Sequence, residues 1–161
     1  MIIKSGGICY LFDFDGTIAG REEFNGVWKS MREWYRTGIH INPGDFDVRW
    51  SILTGRPLVD KLSIKIFCGI YGLTPEIILT ANSFRYPWKN NEEKYAWKVQ
   101  MIRDILNHKI TKLNKLRPIM TSKVIYVDND FETIDYINSK RDQFIGITVP
   151  DFIKGCTDIL I

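Results

Sequence analysis

The sequence predicts an α/β fold, a three-layer sandwich with a central, mostly parallel sheet. Two observations predict it. Short apolar runs alternate along the chain with longer segments whose apolar residues recur at helical spacing. Several of the short runs are continuously apolar, as strands buried on both faces are. A third observation fixes the scale: 161 residues, 45% hydrophobic and 25% charged, suit one domain with one sizeable core.

The elements follow in order. Ile8-Cys9-Tyr10-Leu11-Phe12 comes after two glycines and runs into carboxylates, the pattern of a central strand feeding a functional loop. Phe24, Val27, Trp28, Met31, Trp34 and Tyr35 fall at helical spacing and predict an amphipathic helix of about four turns, ended at Thr37-Gly38. Val48 to Leu53 reads as a second strand, entering the turn Thr54-Gly55-Arg56-Pro57. Leu58 to Tyr71 reads as a helix with Leu58, Leu62, Ile66 and Ile70 on its apolar face, stopped by Gly72 and Pro75. Ile77 to Thr80 is a short third strand, and Ser83 to Trp88 a loop. Glu92 to His108 is the longest helix, with Tyr95, Val99, Ile102 and Leu106 on one face. Lys123 to Val127 is a fourth strand, ending at Asp128-Asn129-Asp130. Phe131, Ile134 and Ile137 form a helical stripe after it, and Phe144 to Val149 a fifth strand. No repeat or linker interrupts the series, so residues 1–161 are expected to form a single domain with a Rossmann-like sheet.

Bulk properties exclude several classes. A net charge of +3 demands neither a nucleic-acid nor a membrane partner. No apolar run approaches membrane-spanning length, and the start lacks the pattern of a signal peptide. Cys9, Cys68 and Cys156 are far apart and show no redox or metal-ligand spacing, which points to a reducing, cytoplasmic setting without disulfides. His40 and His108 are the only histidines, too few for a histidine-rich metal site.

In an open parallel sheet, ligands bind beyond the carboxyl ends of the strands. There the predicted strands deliver Asp13, Thr54 and Asp128, and the helix carrying Lys98 leads toward the same edge. Asp13 and Asp15 lie two apart, so an extended chain points both carboxylates to one side. Such a pair repels itself and calls for a cation; hard oxygens suit Mg²⁺. Asp128 or Asp130 offers a third carboxylate.

Phe12-Asp13-Phe14-Asp15-Gly16-Thr17 resembles the first motif of the haloacid dehalogenase-like superfamily, whose members are mostly phosphotransferases working through an aspartyl-phosphate. Ser51-Ile52-Leu53-Thr54-Gly55-Arg56 resembles the second motif, Lys98 in Tyr95-Ala96-Trp97-Lys98 the third, and Val124-Ile125-Tyr126-Val127-Asp128-Asn129-Asp130 the fourth. The resemblance runs from about Ile8 to Val149. It implies that Asp13 is the nucleophile and that Asp15 acts as general acid and then base. It implies that Thr54 bonds a phosphoryl oxygen and that Lys98 balances charge. Asp13, the Asp15 carbonyl and Asp128 are the implied Mg²⁺ ligands, and Phe14, Gly55 and Arg56 the implied substrate contacts. Lys94, one turn from Lys98, is the alternative lysine, and Asp130 the alternative to Asp128; many relatives have two adjacent acids where this chain has Asp128-Asn129.

The stretches from Thr17 to Thr54 and from Thr54 to Lys98 are too short for a cap domain. A capless crevice is open, which favours a large phosphorylated substrate, with a nucleic-acid end or nucleotide first, or closure by oligomerisation. Lys109, Lys112, Lys115, Arg117 and Lys123 are placed to meet a phosphate backbone, and Tyr86 and Trp88, with Arg85 and Lys89, to stack bases. The rival class is a binding module with this fold and no turnover. A receiver domain is disfavoured, because its phosphorylated aspartate lies on a later strand.

Overall fold

The chain is described by a computed structural model over residues 7–20, 30–112, 117–118 and 121–159. Among these residues the strands are β1 (Ile8–Phe12), β2 (Trp50–Leu53), β3 (Ile78–Leu79), β4 (Thr111–Lys112), β5 (Arg117–Pro118), β6 (Lys123–Val127) and β7 (Phe144–Ile147). The helices are α1 (Met31–Thr37), α2 (Lys61–Tyr71), α3 (Asn91–Leu106), α4 (Phe131–Ser139) and α5 (Val149–Ile159).

Five strands make one parallel sheet in the order β3-β2-β1-β6-β7, and β4 and β5 pair separately as a short antiparallel ribbon. Side chains on β1 and β6 alternate between two cores, as the two-residue period of a strand requires. Phe12, Ile52 and Val127 join Trp34 of α1, Ile64 and Phe67 of α2 and Phe152 of α5 on one face. Cys9, Leu11, Val124 and Tyr126 join Val99 and Ile102 of α3 and Ile134 and Ile137 of α4 on the other. The predicted α/β three-layer architecture is therefore present. Phe12 is fully buried, edge-on to Trp50 and Phe152 with ring centroids 5.9 and 5.0 Å away. Edge-to-face pairs of this kind add about 0.5–1.5 kcal/mol each beyond area burial.

The chain passes from β1 to β2 on one side of the sheet and from β6 to β7 on the other. The helices change face where the strand order reverses, which keeps the parallel crossovers right-handed. That reversal opens a crevice at the carboxyl ends of β1 and β6.

Several elements differ from expectation, the unforeseen ribbon of β4 and β5 among them. The helix predicted from Phe24 begins, as described, at Met31: Ser30 caps it, its side chain accepting from the Glu33 amide at 3.3 Å. Phe24, Val27 and Trp28 lie outside the described residues. On α2 the buried residues are Ile64, Phe67 and Cys68, whereas Leu62, Ile66 and Ile70 are exposed and Leu58 belongs to a preceding 3₁₀ turn. On α4, Ile134 and Ile137 are buried but Phe131 is exposed. The C-terminal helix α5 was not anticipated. Its signals are Thr148, whose hydroxyl accepts from the Asp151 amide at 3.3 Å, and Pro150 in the first turn.

Among the described residues no helix is long and apolar enough to cross a membrane.

Candidate active site

The sheet itself aligns the site. Pairing of Phe12 with Val127 sets the ends of β1 and β6 level, and pairing of Phe12 with Ile52 lets β2 run one residue further. The ladder continues one residue further: the amides of Asp13, Thr54 and Asp128 donate to the carbonyls of Val127, Leu79 and Ile147 at 3.0, 3.0 and 3.2 Å. A turn then lifts the chain out of β1. The Phe14 carbonyl accepts from the amides of Thr17, Ile18 and Ala19, with Gly16 at φ +73°, where an L side chain is strained.

Asp13 and Lys98 meet at the centre. Lys98 comes from α3, is 2% exposed, and places Nζ 3.1 Å from Asp13 Oδ1 and 3.7 Å from Asp128 Oδ2. Tyr126, one residue inside the end of β6, ties this pair together. Lys98 Nζ donates to its hydroxyl oxygen at 2.6 Å, and that hydroxyl donates to Asp128 Oδ2 at 2.6 Å. Asp128 Oδ1 accepts from the Asp130 amide at 2.9 Å. Asp130, not Asp128, caps α4, accepting from the Glu132 amide at 3.3 Å and the Thr133 hydroxyl at 2.6 Å. Of the two lysines, Lys98 contacts Asp13; Lys94 lines the same cavity one turn away.

Burial sets the electrostatics. It raises the Asp13 carboxyl above its ordinary range; Lys98 opposes the shift and Asp15 adds to it. Burial, then the Asp13 charge, pushes Asp128 up to about 7 against the pull of Lys98. Burial works against the Lys98 ammonium, but Asp13 and Asp128 outweigh it and hold its pKa above the ordinary value. Lys94 is lowered, by burial and then by Lys98.

Asp15 lines the cavity too, yet its carboxylate is engaged elsewhere. Arg56 Nε lies 3.0 Å from each of its oxygens, Arg56 Nη2 is 2.6 Å from Oδ1, and the Trp34 indole donates to Oδ1 at 2.8 Å. Arg56 reaches on to Asp60 at 3.1 Å. Both Asp15 and Arg56 are buried, and the guanidinium is spent on these two acids. Thr54 is also fully buried, and its hydroxyl oxygen accepts from the Arg56 amide at 3.2 Å. Phe14 packs its ring on Phe67 in the core, so only its backbone is near the site.

Gly55 lines the cavity, whose volume is about 500 Å³. A Cβ on Gly55 would fall 2.7 Å from Lys94 Cδ, so glycine lets the lysine stem lie over the loop. Trp88 braces the same loop, donating to the Gly55 carbonyl at 2.8 Å and packing on Trp97 with centroids 5.2 Å apart. Tyr86 is about half exposed and lines the cavity. Of the basic stretch, Lys109 and Lys123 are exposed; Lys115 lies outside the described residues.

The donors suit a hard cation. Asp13, partly buried, and Asp128, buried, are carboxylates of like charge with raised pKa values, and a dication would relieve that repulsion. The turn after β1 uses the Phe14 carbonyl and the Gly16 amide, leaving the Asp15 carbonyl out of these bonds. Among the described residues no three His, Cys, Asp or Glu side chains gather as a ligand cluster, so such an ion would rest on two carboxylates plus main-chain or solvent oxygen.

No protein-family model, curated protein or solved structure matches this chain.

Two site features escaped sequence reasoning. Tyr126 sits in an apolar strand and reads as core. The Arg56–Asp15 pair spans 41 positions, and its only sequence trace is an arginine directly after the strand-end turn Thr54-Gly55.

Proposed function

We propose that this chain is a phosphomonoester hydrolase that works through an aspartyl-phosphate on Asp13, with Mg²⁺ held by Asp13, Asp128 and the Asp15 carbonyl. The observation that carries this reading is the Asp13 carboxylate 3.1 Å from the buried Lys98 ammonium at the carboxyl edge of the sheet, with Asp128 alongside. The order of the four motifs, which resemble those of the haloacid dehalogenase-like superfamily, supports it further.

Asp13 attacks phosphorus, and the bond from phosphorus to the leaving oxygen breaks. Asp15 supplies the proton to that oxygen. Water then attacks the phosphorus of the aspartyl-phosphate, Asp15 takes the proton, and Asp13 is released with inorganic phosphate. Lys98 compensates the charge that passes between Asp13 and the phosphoryl oxygens. Bound Mg²⁺ supplies neutralisation of the phosphoryl charge, which lets one anion approach another. Because donors from Arg56 and Trp34 occupy the Asp15 carboxylate, Asp15 exchanges one of these bonds for the leaving oxygen before it moves a proton.

The motif spacing leaves no room for a cap domain and Tyr86 lines the cavity, so the proposed substrate is a large phosphate, a nucleic-acid end or nucleotide first. Phosphate release from 3′-phosphorylated oligonucleotides is expected to exceed release from the matching mononucleotides by roughly tenfold or more in kcat/KM, a difference of about 1.4 kcal/mol. Equal rates would remove the nucleic-acid preference while leaving the reaction class intact.

A further inference from the structure

We propose that the Tyr126 hydroxyl is a positioning group that keeps Lys98 on Asp13 and off Asp128, and so leaves the Asp128 carboxylate to a divalent cation. This role rests on the proposed function, with Asp13 as nucleophile and Asp128 as a cation ligand. It adds a residue that touches neither the substrate nor the reacting atoms.

The sheet fixes where the hydroxyl stands. Tyr126 is fully buried, its neighbours across β6 are Leu11 of β1 and Gly146 of β7, and it shares a core with Val99 and Ile102 of α3. A ring packed in this way carries its oxygen as a rigid stop, unlike the flexible stem of a lysine.

Lys98 lies between two acids that compete for it. Its Nζ is 3.1 Å from Asp13 Oδ1 and 3.7 Å from Asp128 Oδ2, so only the first contact is a hydrogen bond. Charge alone does not select between two carboxylates beside one ammonium. The hydroxyl does. An ammonium only donates, so Tyr126 accepts from Lys98 at 2.6 Å, and its own O–H proton goes to Asp128 Oδ2 at 2.6 Å. The Asp128 oxygen facing the lysine is thereby occupied. The other, Oδ1, accepts from the Asp130 amide at 2.9 Å. Asp128 is thus oriented by two neutral donors. A neutral donor leaves the carboxylate charge for a metal, whereas a lysine in direct contact would offset that charge and compete with the metal. Tyr126→Phe removes the stop. The ring still packs, but the freed Lys98 proton has Asp128 Oδ2, 3.7 Å from Nζ, as its next acceptor and closes on it.

The test measures Mn²⁺ binding to the full chain by electron paramagnetic resonance of the free ion, counting only the binding that Asp128→Asn removes. Tyr126→Phe is expected to keep its circular dichroism and to bind Mn²⁺ about 10–100-fold more weakly than the wild type. At saturating Mg²⁺ its kcat for an aryl phosphate should fall about tenfold or more with KM little changed, as Lys98 leaves Asp13. In a Lys98→Met background the same substitution should change Mn²⁺ affinity by no more than about twofold, because no lysine remains to close on Asp128. That second comparison decides the matter even if Tyr126→Phe alone does not fold. Equal weakening in both backgrounds would overturn the role, since the hydroxyl would then serve Asp128 alone. Wild-type Mn²⁺ affinity in Tyr126→Phe, or a wild type that binds no Mn²⁺ through Asp128, would overturn it too. A wild type that shows these binding differences but turns over no phosphate ester would remove the proposed reaction and leave the Tyr126 role standing, so the two failures are separable.

Discussion

Arg56 and Asp15 form a buried ion pair at the edge of the cavity, and its physics is asymmetric. Two charges removed from water lose hydration that their mutual attraction only partly restores, so the intact pair adds little to stability. Removing one partner is costly, since the other stays buried and uncompensated. Arg56→Ala is therefore expected to lower stability by about 3–5 kcal/mol in denaturant unfolding. Arg56→Lys should recover only part of that, because an ammonium cannot reproduce the forked contact with both Asp15 oxygens. A loss below about 1 kcal/mol for Arg56→Ala would mean that Asp15 is solvated, against its burial here. Asp13, Lys98 and Asp128 were legible in the sequence because strand ends and motif order fix their positions. Tyr126 and the Asp15–Arg56 pair were not. Whether a tyrosine inside an apolar strand packs or bonds depends on which side chain arrives from another element, here Lys98 from α3.

At the scale of elements, the two faces of α2 show why apolar periodicity is an incomplete guide. The sequence offers two stripes on this helix, and the four-spaced one through Leu62 and Ile66 is the more regular. Burial follows the other, because Phe67 meets Phe14, Tyr71 and Tyr35 with ring centroids 5.1, 4.8 and 6.4 Å away. Phe67→Ala is expected to cost about 3–5 kcal/mol by leaving a cavity in that cluster. Ile66→Ala, one residue away, is expected to change unfolding in dilute solution by no more than about 0.5 kcal/mol. The reverse order of effects would return the helix to the face its periodicity suggests. The five strands of the parallel sheet were read correctly because buried parallel strands are short and uniformly apolar, whereas the two-residue strands β4 and β5 carry no such run. Helix starts depended on caps such as Ser30 and Thr148, single residues that a periodic pattern does not weigh.

For the whole molecule, the central acids couple folding to pH. The Asp128 carboxyl rises from its ordinary 3.8 to about 7 when the chain folds, mainly by burial and next by Asp13. Between those values the folded chain binds more protons than the unfolded one. Stability of the metal-free protein must therefore fall as pH rises through that window. Thermal unfolding in chelator is expected to show the wild type losing stability relative to Asp128→Asn from about pH 4 to about pH 7; a relative gain would contradict a protonated, buried Asp128. The like charges that make the site costly at neutral pH are what a bound cation would offset.

Acid-quenched turnover of an aryl phosphate with Mg²⁺, followed by peptide mapping, reads the proposed covalent intermediate at Asp13 itself. Phosphate is expected on the peptide containing Asp13 in the wild type, and in Asp13→Asn no label and turnover reduced by about a thousandfold or more, some 4 kcal/mol of barrier. Turnover at the wild-type rate in Asp13→Asn, or phosphate found on another residue, would contradict it.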